Sequence, residues 1–269
     1  MATDQGKTSN MHALGIIAET ARVKMGSLGT TTFRPPFTPL TFGAIVGRNV
    51  GNFFDITRKT AMHEWHVSNN AEFENVGQWK RPWYYPKNNE DMHQAVQRES
   101  LAARESAGIL DASTLGKIDI QGTDASEFLN RVYTNAWSKL AIGKCRYGLM
   151  LNEDGMVYDD GVTTRIGENH YIMTTTTGGA ANVLGKLEDY LQTEWPELDV
   201  YLTSVTDHYS TASICGPNSK KILMKLFPDV KFDDDNFPHM SFQNASLDKV
   251  NCRIMRISFT GEHLSLIHI

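Results

Sequence analysis

The chain has 269 residues, 41% hydrophobic and 10% aromatic, with a formal net charge of −5. That composition is enough for one large or two small packed domains, and the negative balance offers no basic field for nucleic acid or an anionic membrane. No apolar run approaches the roughly 18–20 residues needed to span a bilayer, and residues 1–8 hold no signal-peptide stretch. Cys145, Cys215 and Cys252 lie far apart and fit no CxxC spacing, so buried, reduced thiols in a cytoplasmic protein are expected.

Residues 1–88 carry Pro35-Pro36, Pro39, Pro82 and Pro86, and helical spacing shows only over residues 11–25, through Leu14, Ile17 and Val23. The aromatic residues from Phe33 to Tyr85 follow no period, which predicts an extended segment lying across another surface rather than an independent domain. From Asn89 the pattern becomes regular. Asp91 caps a helix running to Ser106, and Gly108 stops it. Leu115, Ile118 and Ile120 mark a strand, and Thr123 or Asp124 opens a helix with Phe128, Leu129 and Val132 inward. Strands follow over 145–151, 156–166 and 170–177, with turns at Asp154-Gly155 and Gly167-Glu168-Asn169. A helix over 180–195 places Val183, Leu187, Tyr190 and Leu191 on one stripe. Strands over 198–205 and 209–215, a helix opened by Pro217 and a strand over 251–260 complete the chain. Antiparallel strands interleaved with helices on one face predict an α+β fold.

Some motifs carry little chemistry. Gly6-Lys7-Thr8 lacks the upstream glycine and strand of a phosphate loop. His63-Glu64-Trp65-His66 is one residue short of HExxH and reads as a surface turn, and no metal site is expected. Asp154-Gly155 and Asp160-Gly161 lack the alternating oxygens of a calcium loop.

The doublet Asp159-Asp160 is different, because it falls inside a strand, where aspartate is disfavoured. Strict alternation groups Met156, Tyr158, Asp160 and Val162 on one, mostly apolar, face and Val157, Asp159 and Thr163 on the other. Asp160 is therefore expected on the core side, either binding a cationic or N–H-rich ligand or bonding a turn. Tyr171, Met173 and Thr175 alternate on the next strand, and Glu262 follows Phe259-Thr260-Gly261 at a strand end. Acids and hydroxyls over apolar walls, with Tyr147 and Leu115 as wall candidates, suit a small-molecule pocket; plain packing is the other reading of the last two.

Asp111 to Lys117, Gly148 to Gly155 leading to Asp159-Asp160-Gly161, and Phe259-Thr260-Gly261-Glu262 together resemble the folate-binding aminomethyltransferase family. That family includes the glycine cleavage T-protein and the C-terminal domains of sarcosine- and dimethylglycine-oxidising enzymes. Within it, residues 4–10 and 29–36 resemble the α subunits of heterotetrameric sarcosine oxidases, where they join a dinucleotide-binding region to the folate domain. The resemblance runs from Met1 to Glu262. It implies residues 1–88 as a linker region, 89–262 as the N-terminal part of the folate domain, and 263–269, unlike the family's continuation, as a tail that is not native.

The resemblance also implies a division of labour. A β subunit oxidises sarcosine to an imine at a flavin, and the folate site captures the one-carbon unit on tetrahydrofolate, giving 5,10-methylenetetrahydrofolate. The family's essential aspartate matches Asp160, its pterin-holding glutamate Glu262, its pterin-binding asparagine Thr175, and its pocket walls Leu115, Tyr147 and Met173. FAD, NAD and FMN belong to the complete complex and not to this segment, whose implied partners are β, γ and δ subunits. The segment alone is expected to show negligible turnover. Other readings are a dimethylglycine or sarcosine dehydrogenase, a T-protein, or a non-catalytic folate-binding assembly module.

Overall fold

The computed structural model describes residues 16, 18–24, 57–258 and 264–268. The chain divides into two units, Met1–Ile56 and Thr57–Ile269. In the first, residues 16 and 18–20 are helical, within the expected 11–25 helix; the rest of that call lies outside the described residues.

The second unit begins with a small sheet in which β1 (Arg58–Lys59) runs parallel to β3 (Trp79–Tyr84), and β2 (Glu72–Val76) pairs antiparallel to β3. Helix α1 (His63–Ser68) lies between β1 and β2 in the chain. Residues 57–88, expected to be extended, are therefore regular, and His63 to His66 form a helix rather than a surface turn. His66 is buried: its Nε2 lies 2.9 Å from Asp111 Oδ2 and its Nδ1 2.6 Å from the Tyr85 hydroxyl. Thr60 donates to the same Asp111 oxygen at 2.6 Å. Burial works to raise the Asp111 pKa, but hydrogen bonds from Ser113, Thr60 and His66 hold it below the usual carboxylate value. Aperiodic aromatic sequence concealed this element because it is held by polar bonds to a distant strand, not by an apolar stripe of its own.

Helix α2 (Met92–Glu105) starts as expected, at a capping box in which Asp91 accepts from Gln94 N and Gln94 accepts from Asp91 N. Two five-stranded sheets follow, in which every strand pair is antiparallel. One has the order β6 (Cys145–Leu151), β7 (Val157–Gly167), β8 (His170–Thr175), β5 (Gly116–Gln121), β9 (Tyr201–Ser204). The other has the order β11 (Ser241–Leu247), β12 (Val250–Ile257), β13 (Leu264–His268), β10 (Thr211–Cys215), β4 (Gly108–Asp111).

Helices cover one face of each sheet. On the first, α3 (Ala125–Val132) and α4 (Ala180–Asp189) close over Ile118, Ile120, Tyr171 and Met173 with Phe128, Leu129, Val183 and Leu187. On the second, α5 (Ser219–Leu226) brings Leu223, next to Phe227, against Ile214, Cys252, Ile254 and Ile267. Burying each such side chain contributes roughly 1.5–3 kcal/mol. The remaining faces meet through a third cluster, with Ala112, Cys145, Met255 and Ile257 buried and Leu115, Val162, Cys215 and Phe242 packed around them. This is the α+β architecture expected. Cys145 and Cys252 are buried, Cys215 is half-buried, and all three are free thiols. Among the described residues no helix is long and apolar enough to cross a membrane.

Candidate functional site

The site is shaped by an irregularity in β7. Its register with β6 steps from Met150↔Asp159 to Leu151↔Val157, leaving Tyr158 as an extra residue. Such a bulge breaks side-chain alternation. Tyr158 packs against the helix-side cluster, and Asp159 lies on that side as well, 5% exposed. Asp160 lies on the opposite face with Val162 and Thr164, which meet the second sheet. The expectation that Asp160 is the core-side acid is thus corrected. Asp159 is sealed under the helices, and Asp160 is half-buried in the space between the sheets.

Asp159 is fully engaged. Its Oδ1 accepts from the Thr176 hydroxyl at 2.6 Å and its Oδ2 from Thr176 N at 3.2 Å. Gly179, at the start of α4, makes room for it: a Cβ there would sit 2.7 Å from Asp159 Oδ1. Burial pushes the Asp159 pKa up, the Thr176 bonds oppose that rise, and the Asp160 charge adds to it.

Asp160 accepts from the Tyr147 hydroxyl at 2.7 Å. That bond, more than burial, pushes the Tyr147 phenol up and keeps it a donor. Tyr147 sits opposite Val162 in the β6–β7 register and remains 47% exposed. Leu115 packs into the same inter-sheet cluster as Val162. A half-buried carboxylate beside a phenol and apolar neighbours can accept hydrogen bonds from, or balance the charge of, a polar ring.

Three of the expected residues, Asp160, Tyr147 and Leu115, therefore border the inter-sheet space. Met173 and Thr175 do not. Pairing sets Met173 opposite Ile118 and Thr175 opposite Gly116, on the helix-covered face. Met173 is fully buried and its sulfur accepts from the Tyr133 hydroxyl at 2.8 Å. The Thr175 hydroxyl donates to Thr176 O at 3.0 Å, against Gly116 and Ala180. Every residue of β8 after His170 is buried, so burial alone did not separate its faces. Glu262 lies outside the described residues.

Two further residues lie on Asp160's face: Thr174, which opens the Thr174 to Thr177 run of donors and acceptors that the sequence suggests for a polar ring, and Lys117, to which the sequence reading gave no role. The Thr174 hydroxyl accepts from Val162 N at 2.9 Å and donates to Val162 O at 3.1 Å, clamping β8 to β7. Lys117, opposite Thr174, is fully buried with its Nζ donating to Ser113 O at 3.1 Å and Leu115 O at 2.9 Å. Burial brings its pKa down to about 8. Counting cross-strand pairs from the Ile118–Met173 contact would have found Lys117.

Comparison with known proteins bears on the fold and the family. Residues 62–264 match the GCVT N-terminal domain, and residues 1–48 match the sarcosine oxidase A3 domain. The sarcosine oxidase subunit alpha of Corynebacterium sp. (strain U-96) is 54% identical over 263 residues, which is 97% of this chain and 27% of that protein. Its counterpart from Rhizobium meliloti (strain 1021) is 47% identical over 265 residues, with the same coverage. The chain therefore spans about a quarter of the length of these relatives, 27%. An aminomethyltransferase from Pseudothermotoga lettingae is 28% identical, covering 76% of this chain and 52% of that protein. The crystal structure of the glycine cleavage system aminomethyltransferase T from Bartonella henselae superposes with a TM-score of 0.66 at 24% identity, over 79% of this chain and 53% of that one, a likeness of fold. The GCVT model takes in most of the sequence, including every strand of the sheet that bears Asp160, and so the chain belongs to the GCVT N-terminal domain family.

Proposed function

We propose that the chain is the folate-binding part of a sarcosine oxidase α subunit, in which Asp160 is the catalytic carboxylate for one-carbon transfer to tetrahydrofolate. The observation that carries this reading is the Asp160–Tyr147 pair, 2.7 Å apart on the accessible face, while Asp159 is sealed away. The pyrimidine half of a tetrahydropterin is flat and apolar on its faces, and the ring system is edged with N–H groups. The Asp160 carboxylate, with Leu115 and Val162 nearby, fits such a ring.

Tetrahydrofolate supplies the nitrogens that take up the one-carbon unit. Tyr147 occupies Asp160 Oδ2 and so fixes the carboxylate plane. The other oxygen is left to accept a proton from a ring nitrogen or to balance positive charge developing beside it. Glu262 holding the pterin remains part of this reading on the strength of its motif. FAD, NAD and FMN, and the oxidation of sarcosine, are assigned to other parts of a cytoplasmic complex with β, γ and δ subunits. The high identity to sarcosine oxidase α subunits across 97% of the chain supports placing this chain in such a subunit.

The test is Asp160→Asn in the full-length subunit assembled with its partners, followed by single-turnover assays with tetrahydrofolate. One-carbon transfer should fall by about 10²–10⁴-fold, the usual contribution of a positioned acid–base group, while sarcosine oxidation continues. Undiminished transfer would remove Asp160 from the chemistry and leave a non-catalytic folate-binding assembly module.

A further inference from the structure

Residues 112–115 carry the chain from β4 in one five-stranded sheet to β5 in the other. Connecting backbone usually runs over the surface, where water can satisfy it. Here Ala112, Ser113 and Thr114 are buried, so their peptide groups need partners inside the protein. Most of those partners are neutral. Ala112 N donates to Thr211 O at 2.8 Å and Leu115 N to Ala112 O at 3.2 Å, while the Ser113 hydroxyl accepts from Thr211 N at 2.9 Å. The Thr114 and Thr177 hydroxyls lie 3.1 Å apart.

Two carbonyls of the crossover are held by a cation instead. Lys117 folds back along its own strand, and its ammonium donates to Ser113 O at 3.1 Å and Leu115 O at 2.9 Å. The Thr206 hydroxyl fixes the Lys117 main chain by accepting from its N at 3.0 Å. This cation is a cost to the fold. Burial drives the Lys117 pKa down, and the charges of Asp111 and Asp207 oppose that fall only in part. A folded-state pKa below the unfolded one means that the charge lowers stability at neutral pH. A group retained at such a cost points to a task other than stability.

The task lies at Leu115. This residue is half-buried and packs into the same cluster as Val162, which shares a face of β7 with Asp160. The peptide plane ties each carbonyl to the Cα atoms beside it, so fixing the Ser113 and Leu115 carbonyls fixes where the Leu115 side chain starts. We infer that Lys117 is a positioning residue that sets Leu115 as the wall against which the pterin ring lies, an inference that rests on the function proposed above. Lys117 is fully enclosed and acts through Leu115, without touching the ligand.

A double-mutant cycle on the full-length subunit tests this, with tetrahydrofolate affinity as the readout. Lys117→Met keeps the length of the side chain and removes its donors. It should weaken binding about tenfold, the lower end of what a buried leucine contributes. Leu115→Ala should weaken binding similarly, and the double variant no more than the stronger single one, because Lys117 has then no wall to place. Unchanged affinity in Lys117→Met, or losses that multiply in the double variant, overturns the inference. Lys117→Gln, which retains an N–H donor on a shorter side chain, should show a smaller loss; it stands in for Lys117→Met if that variant fails to fold, and no loss then overturns the inference. If the unaltered subunit does not bind tetrahydrofolate, the proposed function fails, and the placement of Leu115 is read directly. Its methyl resonances, assigned by their loss in Leu115→Ala, should shift in the Lys117 variant while those of Leu223, under α5, stay in place. Unmoved Leu115 methyls rule out the positioning role.

Discussion

Thr176→Val isolates what holds the sealed acid of the doublet. Valine keeps the shape of the side chain but removes the hydroxyl that donates to Asp159 Oδ1 at 2.6 Å and accepts from Gly179 N at 3.1 Å. A hydrogen bond to a charged group contributes about 1.5–3 kcal/mol and a neutral one about 0.5–1.5, so a loss of about 2–4 kcal/mol is expected. The effect also depends on pH. The Asp159 pKa is raised by burial, so its contribution is fully present below its unfolded value and is lost as pH rises through the folded one. Thr176 opposes that loss by bonding the ionised form. Without the hydroxyl the folded pKa climbs further, and the deficit of the variant should widen between about pH 4 and about pH 7.5. Urea unfolding followed by tryptophan fluorescence at both pH values measures it. A deficit below about 0.5 kcal/mol, or one that narrows as pH rises, would refute the assignment of Asp159 as an ionisable group held by Thr176.

Two further substitutions test the surroundings. Lys117→Met removes a buried cation whose pKa falls from 10.5 to about 8, a shift worth on the order of 3 kcal/mol. The unfolded chain binds the proton more tightly between those values, so the unaltered protein should gain stability on Lys117→Met as pH rises through that window, read by denaturant unfolding. A gap independent of pH counts against a charged, buried Lys117. Gly148→Ala places a Cβ 2.6 Å from Trp137 Cζ2 and 3.0 Å from Tyr133 Cδ1. Both rings are buried, so overpacking should lower stability by about 1–3 kcal/mol, visible as a reduced unfolding midpoint; an unchanged midpoint would mean that the Trp137 ring gives way freely.

The elements readable from sequence are those that carry their own local signal. The Asp91 cap announced α2, Val183 and Leu187 announced α4, and the Asp154-Gly155 turn, where Gly155 takes φ +80°, announced the β6–β7 hairpin. Elements whose stability comes from elsewhere were silent. Strand β11 reads Ser-Phe-Gln-Asn-Ala-Ser-Leu and is recognisable only beside β12. Strand β4 exposes Ile109 and Leu110 and pairs with β10 far along the chain. Residues 264–268, read as unlike the family's continuation, lie between β12 and β10. The site shows the same division. Tyr147, Leu115 and Asp160 were identified by residue type and motif, whereas the faces of Met173 and Thr175 depended on pairing that no local pattern encodes.

The bulge at Tyr158 explains why two adjacent aspartates can serve different purposes. Two carboxylates turned toward one site would contest ionisation, since like charges at close range raise one pKa strongly. The Asp160 charge already contributes to the rise at Asp159 across the strand. The extra residue puts Asp159 on the same side as Tyr158, where Thr176 and the start of α4 engage both of its oxygens. Of the two acids only Asp160 is then on the inter-sheet face, half-buried and with one oxygen bonded to Tyr147. Alternation from Asp160 to Val162 and Thr164 carries that face onto the packed cluster of Cys145 and Met255, so a single local irregularity separates the two acids.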